Sequence, residues 1–229
     1  MDIHGLQKLT LLDYPGHVAC TVFLGGCDFR CPFCHNWELV DGSYPPVMTD
    51  KELLSFLEKR QGLLDGVCFT GGEPLLRKEL PELMRSVRAL GYRIKLDTNG
   101  AHPERLKLIL DEKLADYVAM DVKSSPQHYG EVIGRPDFDP APISGSIRLL
   151  ISGDTDYEFR TTVVDQLHEE DDFRAIARWI AGAKRYFLQA FADRDTVPMA
   201  GFTAPPREVL ERYAAIVRTT VPQVEIRGL

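Results

Sequence analysis

Three cysteines in one short segment are the strongest chemical feature of the chain. Cys27, Cys31 and Cys34 lie in GGCDFRCPFCHN, directly after an apolar run that predicts a strand. The C-x3-C-x2-C spacing supplies three thiolates from one loop, whereas an iron–sulfur cube is normally held by four cysteines. Three protein ligands would leave one iron open to a small molecule. We therefore interpret the loop as an iron–sulfur site that takes part in chemistry.

Other uses of these cysteines are weaker. A structural zinc site usually has four ligands, and the only fourth candidate nearby is His35, which adjoins Cys34 in sequence and rarely reaches the same tetrahedral metal. Disulfides need an oxidising compartment, and the first residues carry no signal-peptide pattern. We therefore expect a cytoplasmic protein and favour iron–sulfur over zinc. Cys20 and Cys68 stand alone in apolar runs and are expected to be small buried hydrophobes.

Length and composition limit the class of protein. The chain has 229 residues, 44% of them hydrophobic and 27% charged, which is typical of an ordinary globular protein. We expect one domain over residues 1–229, with a core over about 15–191 and a final helix and edge strand in 205–229. The net charge of −7 argues against a nucleic-acid partner, and no apolar run is long enough for a membrane span.

The elements that must position the cysteines alternate regularly along the chain. Six nearly continuous apolar runs predict buried parallel strands, with helical patterns between them. This alternation predicts an α/β fold. The chain is short for a closed eight-unit barrel, so a partial (β/α)6 TIM-like barrel is favoured and a doubly wound sheet remains the alternative. The predicted strands are Ala19–Leu24, Val67–Thr70, Tyr92–Leu96, Tyr117–Met120, Tyr157–Val164 and Tyr186–Phe191, with a possible edge strand at Val224–Arg227.

Polar or glycine-rich residues occur at each predicted strand or its end. Because the carboxyl ends of parallel strands share one face, these residues are expected to surround a ligand. Each also has a simpler structural explanation, such as a turn, a surface lysine or an internal hydrogen bond. After the cysteine loop they are Thr70-Gly71-Gly72-Glu73-Pro74, Asp97-Thr98-Asn99-Gly100, Asp121-Val122-Lys123, Arg160 and Gln189.

With these motifs in this order, the chain resembles the radical S-adenosylmethionine superfamily from about Gly5 to Phe191. Within it, the chain is similar to the enzymes that activate glycyl-radical enzymes. The segments GLQKLTLLDYPGHVACTVFLGGCDFRCPFCHN and YEFRTTVV look most like the activating proteins of anaerobic ribonucleoside-triphosphate reductase. The fold implied is the partial barrel of that superfamily.

The resemblance implies a role for each motif. The three cysteines would hold a four-iron, four-sulfur cluster whose open iron binds S-adenosylmethionine. Other residues would contact that cofactor: Phe33 near the adenine, Thr70, Gly71, Gly72 and Glu73 at the methionine amino group, Asn99 or its neighbours near the ribose, and Arg160 at the carboxylate. Lys123 and Gln189 are also assigned to cofactor binding. In similar activases a monovalent cation lies near the cofactor, and its ligands here would be Asp97, Thr98 and Asp121, with a carbonyl near Ala119.

The implied reaction is reductive cleavage of S-adenosylmethionine to a 5′-deoxyadenosyl radical, which removes a hydrogen atom from a glycine of the partner enzyme. The partner would be anaerobic ribonucleoside-triphosphate reductase, and the electron donor a flavodoxin or ferredoxin. Three alternatives stay open: an activase of the pyruvate formate-lyase type, a small-molecule enzyme resembling 7-carboxy-7-deazaguanine synthase, and a non-catalytic electron-transfer or zinc module. Residues 37–66 contain no cysteine, which disfavours activases with auxiliary clusters.

Overall fold

The computed structural model describes residues 1–229. The ten strands are β1 Asp2–Ile3, β2 Gly5–Thr10, β3 Ala19–Leu24, β4 Met48–Thr49, β5 Gly66–Gly71, β6 Arg93–Thr98, β7 Tyr117–Asp121, β8 Asp156–Val163, β9 Arg185–Ala190 and β10 Gln223–Arg227. The eight α-helices are α1 Trp37–Asp41, α2 Asp50–Glu58, α3 Leu80–Ala89, α4 Pro103–Asp111, α5 Tyr129–Val132, α6 Ala141–Ser152, α7 Glu170–Trp179 and α8 Arg207–Val217. A 3₁₀ helix covers Pro74–Leu76.

Eight strands form one sheet, in the order β10-β9-β8-β7-β6-β5-β3-β2. The pairs β3–β5, β5–β6, β8–β9 and β9–β10 are parallel. All six predicted internal strands are present, within one or two residues of their expected ends. The prediction of an α/β fold of the partial-barrel type is therefore confirmed, and the predicted edge strand is β10.

The sequence did not predict β2, which pairs antiparallel with β3 at one edge of the sheet. Most of its residues are exposed or half-buried, so it lacks the continuous apolar run by which the internal strands were recognised. Two further short strands, β1 and β4, form a separate antiparallel pair. No helix in the structure has the length and apolar character needed to cross a membrane.

The chain folds as two compact units that alternate along the sequence. The first unit comprises residues 1–28, 38–98 and 104–118. It contains β2, β3, β5 and β6 with α2, α3 and α4, and its core includes Leu53, Phe69 and Leu96, all fully buried. A capping box is present where α2 begins: Thr49 accepts from the Glu52 amide, and the Glu52 side chain accepts from the Thr49 amide.

The second unit comprises residues 29–37, 99–103 and 119–229. It contains β8, β9 and β10 with α5 to α8. Phe173 on α7 stacks on Tyr213 of α8, with ring centroids 4.2 Å apart. The acidic residues at the start of α7 include a second capping box, between Glu169 and Asp172, so these charges have a structural task at the beginning of the helix.

Candidate functional site

In the first unit, two side chains fix the loop that leads from β3 to Cys27. The Gly25 amide donates to Nδ1 of His4 over 3.1 Å, and the Gly25 carbonyl accepts from the Arg77 guanidinium. Burial, and then the charge of Arg77, lower the pKa of His4, which favours the neutral ring that can accept this bond. The sequence analysis did not identify either residue, because each is an isolated polar side chain far from the cysteines in sequence.

The paired glycines after β5 lie against the same loop. A Cβ on Gly72 would lie 2.0 Å from the Gly26 carbonyl oxygen, and a Cβ on Gly71, whose φ is +123°, would lie 2.3 Å from the carbonyl oxygen of Leu24. The amide of Glu73 donates to the Gly26 carbonyl over 2.8 Å. Both positions therefore need glycine because the two backbones are in direct contact. Thr70, also predicted as a site residue, is half-buried beside Phe23 of β3.

The Glu73 side chain is fully buried and joins the ends of two strands. Its Oε1 accepts from the Leu75 amide over 2.9 Å and from the Thr98 hydroxyl over 2.8 Å. The carboxylate that was predicted to receive the methionine amino group is thus bonded to neighbouring protein groups. The Thr98 hydroxyl, predicted as a cation ligand, donates to Glu73.

A buried ion pair lies on β6 of the same unit. The ammonium of Lys95, whose side chain is 3% exposed, pairs with Oδ1 of Asp97 and lies 3.8 Å from the Cys68 sulfur. Lys95 and Asp97 are two residues apart on a strand, so their side chains point to the same face. The predicted cation ligand Asp97 therefore already has a cationic partner from its own strand.

The predicted cluster ligands are divided between the units: Cys27 lies in the first, Cys31 and Cys34 in the second. Burial raises the pKa of Cys31 to about 12 and also raises that of Cys34, while the Lys123 charge acts in the opposite direction on both thiols. A bound metal would have to displace these protons. Neither unit by itself groups three or more His, Cys, Asp or Glu side chains as a metal site, so the ligand assignment rests on the spacing of the thiols.

In the second unit, the cysteine loop is held by backbone bonds and aromatic packing. The Arg30 amide donates to the Ile133 carbonyl over 2.8 Å, and the buried Phe29 packs edge-on against Phe138, 5.3 Å away between centroids. The ring of His35 stacks on Phe191, and its Nε2 lies 2.6 Å from the Ala192 carbonyl oxygen. The contact with Ala192 holds the ring in place through one of its two nitrogens. Phe33 is also buried.

Charged side chains meet at the end of β7. Oδ2 of Asp121 lies 2.8 Å from Nζ of Lys123, and Oδ1 lies 2.9 Å from Nε of Arg160. Burial opposes ionisation of Asp121, but the charges of Arg160 and Lys123 outweigh it and lower its pKa to about 2. Likewise, burial disfavours the charge on Lys123, but Asp121 outweighs that effect and raises the pKa of the ammonium. All three groups are therefore ionised at neutral pH.

The remaining predicted residues of the second unit have simpler surroundings. Asn99 is buried, and its Oδ1 accepts from the Ala101 amide over 2.9 Å, forming a turn of the kind that its sequence indicated. Gln189 is half-buried on β9, opposite Thr162 of β8.

One buried histidine that the sequence analysis did not select supports the charged group. The Val164 amide donates to Nδ1 of His168 over 3.1 Å, and Nε2 lies 2.8 Å from the Lys123 carbonyl oxygen. Because Nδ1 accepts, Nε2 carries the proton and donates to Lys123. Burial lowers the pKa of His168, so the ring is neutral. Its position beside the acidic start of α7 gave no signal in the sequence.

The donor chemistry fits an iron–sulfur cluster, since thiolates are its usual protein ligands. The sequence model of the Radical SAM superfamily matches residues 21–180. A putative glycyl-radical enzyme activating enzyme of Methanocaldococcus jannaschii is 30% identical over 234 residues, covering 99% of this chain and 96% of that protein. A 7-carboxy-7-deazaguanine synthase of a Synechocystis species is 28% identical over 146 residues, covering 64% of this chain and 62% of that protein.

Solved structures agree on the fold. A domain of the pyruvate-formate lyase-activating enzyme from Bacteroides vulgatus has a TM-score of 0.58 at 22% identity, covering 71% of this chain and 99% of that one. Streptococcus suis SuiB bound to S-adenosylmethionine has a TM-score of 0.70 at 10% identity, covering 91% of this chain and 52% of that one. At these identities the likeness concerns the fold alone. From the match over residues 21–180 and the nearly full-length relative, the chain belongs to the radical SAM superfamily, whose enzymes use a four-iron, four-sulfur cluster and S-adenosylmethionine.

Proposed function

We propose that this enzyme activates a glycyl-radical enzyme, and that its partner is an anaerobic ribonucleoside-triphosphate reductase. The observation that carries the first part is the similarity to the Methanocaldococcus jannaschii protein, which extends over 99% of the chain. A pyruvate formate-lyase-activating enzyme of Clostridium pasteurianum adds support, with 34% identity over 129 residues, 53% of this chain and 52% of that protein. The choice of reductase rests on the resemblance of the cysteine segment and of YEFRTTVV.

In this proposal Cys27, Cys31 and Cys34 hold the cluster. When bound, the cluster and S-adenosylmethionine supply a one-electron cleavage that gives a 5′-deoxyadenosyl radical able to take a hydrogen atom from a glycine. The electron would come from a flavodoxin or ferredoxin. The protein contributes position and electrostatics, because the difficult chemistry belongs to the cofactors.

The residues of each unit have separate tasks in this proposal. Gly71 and Gly72 bring bare backbone to the cysteine loop, so main-chain groups there can approach the cofactor. His4 and Arg77 keep the start of that loop in one conformation, which favours reaction by holding the groups in place. The remaining cofactor contacts are assigned to Phe33, Thr70, Glu73, Asn99, Lys123, Arg160 and Gln189.

A second candidate is an enzyme acting on a small molecule. It is supported by the similarity to 7-carboxy-7-deazaguanine synthases, including the one from Synechocystis. That alignment covers 64% of this chain, compared with 99% for the activating-enzyme relative. The activase is therefore the better supported function.

Electron paramagnetic resonance tests the proposal. The reconstituted chain would be reduced with dithionite under anaerobic conditions and mixed with S-adenosylmethionine and the anaerobic ribonucleotide reductase of the same organism. The expected result is a glycyl-type doublet that requires both proteins and is absent with the Cys31→Ser variant. A cluster signal that responds to S-adenosylmethionine without any doublet would reject this partner and favour another substrate.

A further inference from the structure

The resemblance assigns Asp97 and Asp121 to a monovalent cation, but each carboxylate already pairs with a positively charged side chain of the protein. We propose that the cofactor site works without a monovalent metal ion, because Lys95 neutralises Asp97, and Lys123 with Arg160 neutralises Asp121. The inference rests on the proposed placement of S-adenosylmethionine near these carboxylates. In this proposal, the ammonium groups of Lys95 and Lys123 and the guanidinium of Arg160 take the place of the expected metal ion.

The first argument is the burial of Lys95. Its side chain is 3% exposed and that of Asp97 is 15% exposed, so neither charge is well solvated. A buried ammonium without a counter-ion is costly, and Asp97 provides a counter-ion here. A metal ion on the same carboxylate would lie within about 4 Å of the ammonium, and repulsion at that distance would weaken metal binding by about 100-fold or more.

The second argument is the charge balance at Asp121. Both of its oxygens have a cationic partner within 2.9 Å. A further cation would be repelled, whereas an anionic group such as a cofactor carboxylate would be attracted. The Arg160 guanidinium is well suited to that task because its planar donors match a carboxylate.

The test compares salts at constant ionic strength. Binding of S-adenosylmethionine to the cluster-loaded full chain would be measured by equilibrium dialysis in sodium, potassium and tetramethylammonium chloride, the last cation being too large to coordinate. The free energy of unfolding would be measured in the same three salts. For the wild type we expect dissociation constants that agree within about twofold, because a fixed charge pair does not select among cations of one charge.

The variant Lys95→Met removes the ammonium that pairs with Asp97. We expect it to bind S-adenosylmethionine at least about tenfold more tightly in sodium or potassium than in tetramethylammonium, because a small ion can then replace the ammonium. Lys107→Met is the matched control. Its partner Asp111 is exposed and lies one helical turn away on α4, so no selectivity is expected.

The proposal is overturned if the wild type shows a saturable gain in cofactor affinity or stability with sodium or potassium but not with tetramethylammonium, and if Asp97→Asn abolishes that gain. This comparison decides the matter even if Lys95→Met fails to fold. Cofactor binding needs no glycyl-radical partner. Failure of the activase proposal would therefore appear in the doublet experiment and leave the salt comparison unaffected.

Discussion

The predicted site residues of the two units are held by different physical means. In the first, backbone approaches backbone: Gly71 and Gly72 lie against the loop before Cys27, where no Cβ fits. In the second, the contribution is electrostatic, with Asp121 between two cations at 2.8 and 2.9 Å. Shape should therefore be the sensitive property of the first unit, and charge that of the second. Substitutions chosen to change one property at a time can separate the two.

The largest effect is expected from Gly72→Ala in the first unit. The added Cβ would lie 2.0 Å from the Gly26 carbonyl oxygen, and a backbone neighbour cannot rotate away as a side chain can. We expect a loss of about 3 kcal/mol or more in the free energy of unfolding, measured by chemical denaturation. Gly91→Ala is the control, since its φ is +90° but nothing lies within 4 Å of the added carbon. It should cost about 1 kcal/mol, and equal losses would contradict the account of the glycine pair.

A smaller loss is expected from Asp121→Asn in the second unit, which removes the negative charge that Lys123 and Arg160 share. Because the Asp121 side chain is 25% exposed, we expect about 2 kcal/mol, between the values for buried and exposed pairs. The exposed pair of Lys107 with Asp111 gives the comparison, and Asp111→Asn should cost less than about 0.5 kcal/mol.

The stability difference between the wild type and Asp121→Asn should depend on pH. The pKa of Asp121 is about 2 in the folded state, against an ordinary value of 3.8. Its contribution to stability is therefore complete above pH 3.8 and is lost as the pH falls through 2. The difference between wild type and Asp121→Asn should be constant at neutral pH and shrink only in that acid window. A difference that disappears near pH 6 would show that another group is responsible.

His168 should give the wild type a further pH dependence. Burial holds its folded-state pKa below the ordinary 6.5. Below pH 6.5 the unfolded chain therefore binds more protons than the folded chain, and the free energy of unfolding decreases as the pH is lowered. We expect the free energy of unfolding to fall between pH 7.5 and pH 5, and to fall less in His168→Gln. Unfolding curves at several pH values measure this slope, and an unchanged slope in the variant would contradict the neutral, buried ring.

The smallest effect is expected from Arg77→Met, which removes the hydrogen bond to the Gly25 carbonyl. Loss of this hydrogen bond, whose donor is charged, should cost about 1.5 kcal/mol in the free energy of unfolding. Arg85→Met is a suitable control on the neighbouring helix α3, since its side chain is 44% exposed and pairs only with exposed carboxylates. If the two variants were equally stable, the proposed role of Arg77 in holding the loop would be wrong.

The elements that could be predicted are those with a clear local pattern of apolar residues in the sequence. Continuous apolar runs identified the internal strands. The edge strand β2 was missed because its residues are mostly exposed and carry no such run. The pattern of apolar residues reflects burial, so a strand that is mostly exposed gives only a weak signal in the sequence.

The candidate site shows the same division. The motif residues were found because cysteine and glycine types are chemically distinctive, whereas His4, Arg77 and His168 act through single long-range hydrogen bonds. Lys95 was also missed, although its spacing of two residues from Asp97 on a strand was a usable signal. Partners distant in sequence cannot be read from one chain, because their meeting depends on the tertiary fold.

The central claim is that the cysteine loop holds a cluster whose open iron binds S-adenosylmethionine. The most direct test is the electron paramagnetic resonance spectrum of the reduced, reconstituted chain with and without that cofactor, compared between Cys31→Ser and Cys20→Ser. Cys20 is a fully buried thiol on β3 outside the loop. We predict a cluster signal that shifts with the cofactor in the wild type and in Cys20→Ser, and is lost in Cys31→Ser. An unchanged, cofactor-responsive signal in Cys31→Ser would contradict the claim.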